Sequence, residues 1–237
     1  NTFFTVGLQY GRYLSEYEII KKSFQLLELG ADAIYCPQSA RFIKAIANEG
    51  IPVVGHAGFI PYKLTQVYVH TPLEANACEK SGIDMIVSSE NNNFKFLREN
   101  AMNTFFTVGL QYGRYLSEYE IIKKSFQLLE MGADAIYCPQ SARFIKAITN
   151  EGIPVVGHTG FIPYKLTQFG GFKAYGKNLK EGRKILNEIH ILQDAGAFAT
   201  EIEIVPEEIV EIIYKETDIF LIGMGSGTIC DAQYLFS

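Results

Sequence analysis

Residues 104–160 read TFFTVGLQYGRYLSEYEIIKKSFQLLEMGADAIYCPQSARFIKAITNEGIPVVGHTG. Apolar, β-branched runs at Thr104–Gln111, Ala135–Pro139 and Pro154–Gly160 alternate with helical patterns at Ser117–Met131 and Ser141–Glu151. The first helix has Ser117 at its N-cap position, Glu118 and Glu120 in its first turn and a stop at Gly132. Strand, helix, strand, helix, strand, with strands this apolar, predicts a parallel sheet covered by helices.

The same alternation continues in both directions. Further strands are expected at Val67–Thr71, Asp84–Glu90, Ala199–Val205, Ile219–Gly225 and Gln233–Phe236. Further helices are expected at Leu73–Ser81, Asn93–Asn100, Leu179–Ala195 and Pro206–Glu216, and Gly82, Gly152 and Gly196 supply helix stops. Eight strands in this order predict an α/β fold, a (β/α)8 TIM barrel, C-terminally truncated because the final helix is absent. Both ends of the chain read as cut.

Residues 1–66 recur as residues 103–168, and only Leu29/Met131, Ala47/Thr149 and Ala57/Thr159 differ. The expected organisation is therefore a duplicated partial copy of barrel strands three to five at 1–66, and a barrel-like catalytic domain at 67–237. The second copy is expected to fill the barrel, because short connections join it to both neighbours with the right-handed crossover that parallel strands require. Deletion of 1–66 is then expected to leave the barrel folded. The spare copy presents apolar faces with no barrel to fill, which predicts pairing between chains as a homo-oligomer.

The chain has 237 residues, is 48% hydrophobic and 20% charged, and carries a net charge of −5. That is globular composition, and scattered Lys and Arg exclude a basic nucleic-acid surface. No apolar run approaches the roughly 18 residues of a membrane span. Cys36, Cys78, Cys138 and Cys230 form no CxxC pair. Free thiols in a cytoplasmic protein are the expectation.

In such a barrel the chemistry sits at the C-terminal strand ends. Ser88, Ser89 and Glu90 end the second strand, Tyr137 and Cys138 the fourth, and His158 the fifth within Gly157-His158-Thr159-Gly160. On the sixth, Glu201 and Glu203 share one face and Ile202 and Ile204 the other, a period of two that turns the carboxylates into the barrel. A buried carboxylate there has its pKa raised toward a useful acid or base. Blander readings stay open: a rim ion pair for Glu201 or Glu203, a structural histidine, and a helix cap for Glu90 before Asn93. Gly223-Met224-Gly225-Ser226-Gly227 reads as a strand-to-helix turn in preference to a phosphate cradle. Cys138 has no partner base that would make it a nucleophile.

Several stretches together carry a resemblance. Gly152–Pro163 resembles a GIPVxGHxGxxP segment; Gly170-Gly171-Phe172-Lys173 with Gly176-Lys177 resembles GGYKVQGK; Ala195–Phe198 with Glu203–Pro206 resembles AGAF…LExVP. Ile222–Gly227 with Cys230-Asp231-Ala232-Gln233 resembles IGIGAG..CDGQ, and Ser81–Asp84 resembles AGID. These are segments of the ketopantoate (3-methyl-2-oxobutanoate) hydroxymethyltransferase family, a barrel of the phosphoenolpyruvate mutase/isocitrate lyase superfamily. The resemblance implies transfer of a hydroxymethyl group from 5,10-methylenetetrahydrofolate to a small 2-oxo acid, with Mg²⁺, in pantothenate biosynthesis. It implies Glu203 as catalytic acid/base and His158 as substrate contact. Glu90 falls on a metal carboxylate and Asn91 on a substrate-contacting serine; Ser88, Ser89 and Tyr137 are the remaining expected substrate contacts.

The departures are specific. The family's second metal aspartate aligns with Gly109, and its lysine and third carboxylate fall within Tyr137-Cys138-Pro139-Gln140-Ser141. Magnesium bound through Glu90 alone would depend on water and substrate for most of its octahedral shell. The resemblance therefore reads as a diverged member, with a carbon–carbon lyase or hydrolase, or a non-catalytic acid-binding homologue, as the alternatives.

Overall fold

The computed structural model describes residues 3–8, 15–36, 40–55, 64–91 and 93–236. The chain divides into two compact units, Asn1–Tyr62 and Lys63–Ser237. The first holds β1 (Thr5–Gly7), α1 (Glu16–Glu28), β2 (Ala33–Cys36), α2 (Ala40–Asn48) and β3 (Val53–Gly55), with the strands in a parallel sheet of order β1-β2-β3. Ile19, Ile34, Cys36, Ile46 and Ile51 close the space between this sheet and its helices.

The second unit begins with β4 (Leu64–Tyr68), α3 (Pro72–Ser81), β5 (Met85–Ser89), α4 (Phe94–Glu99), β6 (Phe105–Gly109), α5 (Glu118–Glu130), β7 (Ala135–Tyr137), α6 (Ala142–Thr149) and β8 (Val155–Gly160). A 3-10 turn (Pro163–Lys165), α7 (Leu166–Phe169), α8 (Leu179–Asp194), β9 (Ala199–Glu203), α9 (Glu207–Lys215), β10 (Phe220–Met224) and β11 (Ala232–Phe236) follow. The eight strands β4 to β11 are parallel and close in chain order, with β11 paired to β4. This is the TIM barrel that the alternation predicts, and the second copy supplies β6, β7 and β8.

Two layers of core follow from the two-residue period of the strands. Outward-facing Ile86, Phe106, Val108, Ile136, Val155, Ile202 and Leu221 pack under the helices. Inward-facing Val87, Ala135, Val156, Ala199, Ile222, Ala232 and Tyr234 fill the barrel. The local signals are those of the sequence. Ser15 with Glu18, Thr71 with Glu74 and Ser117 with Glu120 form capping boxes, and Gly82 takes the left-handed conformation that ends α3.

An aspartate at the foot of a strand recurs as a register lock. Asp84 Oδ2 accepts from Thr65 N at 2.8 Å, Asp134 Oδ2 from Phe106 N at 2.8 Å and Asp231 Oδ2 from Leu221 N at 2.8 Å. In each case the aspartate precedes one strand and caps a backbone donor of its neighbour. The first copy repeats the device with Asp32 Oδ2 and Phe4 N at 2.7 Å.

Three expectations change. The first barrel strand starts at Leu64, three residues before the expected Val67, because Leu64, Thr65 and Gln66 pair with Ala232, Gln233 and Tyr234. A boundary after residue 66 would cut through β4. The glycine-rich stretch after β10 does not lead into a helix. It loops directly to β11, held by Ser226 Oγ, which donates to Ile202 O at 2.8 Å and accepts from Val205 N at 3.0 Å. Between β8 and α8 stand the unexpected short turns at Pro163–Phe169. Among the described residues no helix is long and apolar enough to cross a membrane.

Candidate active site

A cavity of about 380 Å³ opens at the C-terminal strand ends. Tyr68, Ser88, Ser89, Gln111, Tyr137, His158, Glu201, Glu203 and Tyr234 are among the residues around it. A larger groove, about 520 Å³, runs outside the barrel past Glu118, Arg143, Lys146 and Asp194, and shows no comparable convergence of buried polar groups.

His158 lines the cavity, and its side chain is only 5% exposed. Its Nε2 lies 3.1 Å from Glu203 Oε2 and 3.0 Å from Phe161 O, while Nδ1 lies 2.7 Å from the Tyr137 hydroxyl and 3.7 Å from Glu201 Oε2. Two acceptors at Nε2 place a hydrogen there; in the neutral ring Nδ1 then accepts from Tyr137. Burial alone would lower the histidine's pKa. The Glu203 hydrogen bond and the charges of Glu201 and Glu203 outweigh it and hold the imidazole above its ordinary value. Burial, then the Glu201 charge, pushes the Tyr137 phenol well up, so it stays a neutral donor.

The alternation read from the sequence places both glutamates inward, with Ala199 below them in the barrel core. They are not rim residues: Glu201 is 4% and Glu203 6% exposed. Burial is the main reason that Glu201 rises to about 7, partly offset by His158 and by the hydrogen bond from Gln66. Glu201 holds a proton in the folded barrel that the unfolded chain has released by pH 7, so its favourable contribution is complete at acid pH and lost as pH rises through about 7. Replacing Glu201 with Gln removes that loss. Thermal unfolding across pH should show the variant gaining on the parent between about pH 4.5 and about 7 and holding that gain above, by on the order of 3 kcal/mol at most.

Backbone geometry fixes Glu203. Gly160, opposite it on β8, has φ +82°, and a Cβ there would lie 2.5 Å from the Glu203 carbonyl oxygen, so only glycine allows β8 and β9 to approach this closely. Directly after Glu203, Ile204 holds φ +49°, a left-handed conformation that costs a β-branched residue about 1–3 kcal/mol. It is held by Ile204 N donating to Met224 O (2.8 Å) and by Tyr175 N donating to Ile204 O (3.0 Å).

Of the expected site residues, Glu203, His158, Tyr137, Ser88 and Ser89 surround the cavity. The Ser88 hydroxyl donates to Val69 O at 2.7 Å. Glu90 and Asn91 are not brought to the cavity. Glu90 is buried against α5, where it accepts from the Tyr115 hydroxyl and from Gln111 N (2.9 Å), with Lys124 Nζ at 3.5 Å and Arg114 Nη1 at 4.0 Å. It does not cap α4 either, since Asn93 stands at the N-cap with no side-chain bond. Asn91 is exposed and accepts from Arg114 at 3.0 Å. The carboxylate expected to hold Mg²⁺ is thus committed to the protein's own donors, and among the described residues no group of three or more His, Cys, Asp or Glu is arranged to hold a metal. Cys138 faces the helix layer, not the cavity, and burial pushes its thiol up to about 12.

Sequence reading missed Tyr68, Tyr164 and Tyr234 at the cavity, and Gln66, which donates to Glu201. Gln66 and Tyr68 share the inward face of β4, a period-two signal hidden by assigning Gln66 to the spare copy.

A sequence profile described as ketopantoate hydroxymethyltransferase matches residues 83–237. The chain belongs to the ketopantoate hydroxymethyltransferase family. Relatives named 3-methyl-2-oxobutanoate hydroxymethyltransferase include those of Thermosipho africanus (31% identical) and Kosmotoga olearia (29% identical), in each case over 73% of this chain and 74% of the relative. One from Clostridium botulinum is 36% identical over 60% of this chain and 53% of its own length. The crystal structure of 2,3-dimethylmalate lyase, a PEP mutase/isocitrate lyase superfamily member, superposes with a TM-score of 0.55 at 14% identity over 74% of this chain and 76% of that one, which speaks for the fold alone.

Proposed function

We propose that the cavity binds a 2-oxo acid of the 3-methyl-2-oxobutanoate type and that Glu203 moves the proton on the carbon beside its carbonyl. The donor of the hydroxymethyl unit in this reading is 5,10-methylenetetrahydrofolate. The observation that carries it is the Glu203 carboxylate set 3.1 Å from His158 Nε2 at the cavity, in a chain of this family.

Glu203 takes the proton from carbon, and the C–H electron pair becomes the enolate. With the imidazole protonated, as its raised pKa favours, Nδ1 donates to the Tyr137 oxygen and the Tyr137 hydrogen is left to donate to an acid oxygen. The enolate pair forms the new carbon–carbon bond, both folate carbon–nitrogen bonds to the transferred carbon break, one water supplies the hydroxyl and a proton to one released nitrogen, and the proton held by Glu203 goes to the other.

A specific observation favours keeping a second reading: among the described residues that surround the cavity there is no Lys or Arg. A carbon–carbon lyase, or an acid-binding homologue without turnover, fits that lining too. The test is 3-methyl-2-oxobutanoate in heavy water, followed by proton NMR with and without tetrahydrofolate, and mass spectrometry of products with methylenetetrahydrofolate. Deuterium at C3 together with the hydroxymethylated acid is the expected result. Exchange without transfer points to the lyase reading, and binding without exchange to the silent homologue.

A further inference from the structure

The chemistry above leaves one buried carboxylate without a task. Glu201 sits one inward step below Glu203 on β9, its side chain 5% exposed. Its Oε1 accepts from Gln66 Nε2 at 3.2 Å, and its Oε2 stands 3.7 Å from His158 Nδ1, too far for a hydrogen bond. The other end of the Gln66 amide, Oε1, is buried with no hydrogen-bond partner among the described residues. A buried, unpaired acceptor is costly and rare in a native core. An amide with one end used and the other spare can serve both forms of the acid: its N–H faces a carboxylate, and, turned over, its oxygen faces a carboxyl O–H.

The titratable and polar groups that face Glu201 come from five of the barrel's strands, while the neighbouring β10 sets apolar Ile222 opposite it. They are His158 from β8, Glu203 from its own strand, Tyr137 from β7, Tyr234 from β11, and Gln66 and Tyr68 from β4. Burial holds both Tyr137 and Tyr234 well above the ordinary phenol value, so they remain neutral. With both carboxylates ionised and the imidazole protonated, the row carries a net negative charge, and the described residues around the cavity offer no fixed cation. A 2-oxo acid brings a further negative charge into the same enclosed space. Like charges in a low-dielectric cavity drive protonation of one of them.

We propose that Glu201, with Gln66 as its adaptable partner, is a positioning residue that admits the anionic acid by taking up a proton from solvent as the acid binds. This rests on the oxo-acid reading above. Glu201 neither touches the reacting carbon nor exchanges a proton with it; it neutralises one charge of the row, and the Gln66 amide turns its spare oxygen to the new carboxyl. Burial already places this group at about 7, so the proton is available near neutrality. The protonated form binds the anion, so affinity is flat below about 7 and falls as pH rises beyond it.

The test is isothermal titration calorimetry of the full chain with 3-methyl-2-oxobutanoate, at about pH 8, in two buffers of different ionisation enthalpy, repeated from about pH 5 to about pH 9. The expected result is an uptake approaching one proton per acid at the alkaline end, with affinity weakening about tenfold per pH unit there. In Glu201→Gln the uptake disappears and affinity becomes level across the range. Gln66→Leu serves if that variant does not fold: loss of the N–H that favours the ionised form moves the fall in affinity to higher pH. Binding by the parent without proton uptake overturns the proposal and leaves the oxo-acid reading standing, as does an unchanged pH profile in the variant measured. Failure of the acid to bind at any pH overturns both.

Discussion

Glu203→Gln slows deuterium exchange at C3 of 3-methyl-2-oxobutanoate by about 10²–10⁴-fold, the usual contribution of a positioned general acid/base, and leaves the barrel folded. Gln keeps the volume and a hydrogen-bonding oxygen beside His158 Nε2, which also has Phe161 O at 3.0 Å, so the pocket loses a proton acceptor without gaining a void. The second readout is the imidazole. The Glu203 hydrogen bond is the largest influence holding His158 up against burial, so the variant's histidine should titrate lower than the parent's in NMR. An exchange rate within a few-fold of the parent, with the histidine shifted down, would place the base elsewhere.

Removing residues 1–62 should leave a barrel that unfolds cooperatively, whereas removing 1–66 should destroy or severely weaken it. The four extra residues include Leu64, Thr65 and Gln66, which form more than half of β4. With them go the pairings to Ala232, Gln233 and Tyr234 that close the barrel, the Asp84 lock on Thr65 N and the Gln66 bond to Glu201. Each hydrogen bond contributes about 0.5–1.5 kcal/mol net, and unpaired partners left in the interior cost more. Against a total stability of about 5–15 kcal/mol, that loss is decisive. Urea unfolding of residues 63–237 and 67–237, followed by circular dichroism, compares the two. Equal stability would mean that β4 does not close the barrel in solution.

Much of the site was legible because strands alternate. The run Thr200-Glu201-Ile202-Glu203-Ile204 fixes which side chains face inward before any fold is known, and the histidine among glycines marks a strand end. Glu90 was not legible. Its place at the end of β5 suits a metal ligand, but Tyr115 and Lys124, a whole connection later, reach back and claim it. That competition depends on how α5 lies against β5 and β6, which no local pattern encodes. Gln66 escaped for a related reason, since its partner Glu201 is 135 residues away.

The duplicated block separates the two kinds of information. The helix α1/α5 with its capping box and the sheet-facing residues are the same in both copies: Ile19 and Ile121, Ile34 and Ile136, Ile46 and Ile148 are all fully buried. Amphipathic periods and caps act within a few residues, so the sequence alone determined these units and the side each turns to its helices. The opposite face is another matter. Val156 is 1% exposed inside the barrel while its twin Val54 is 47% exposed, and Leu-Thr-Gln is strand at Leu64–Gln66 but helix at Leu166–Gln168. Only the closed barrel decides those outcomes, because burial of an inner face and choice of strand partner depend on neighbours far along the chain.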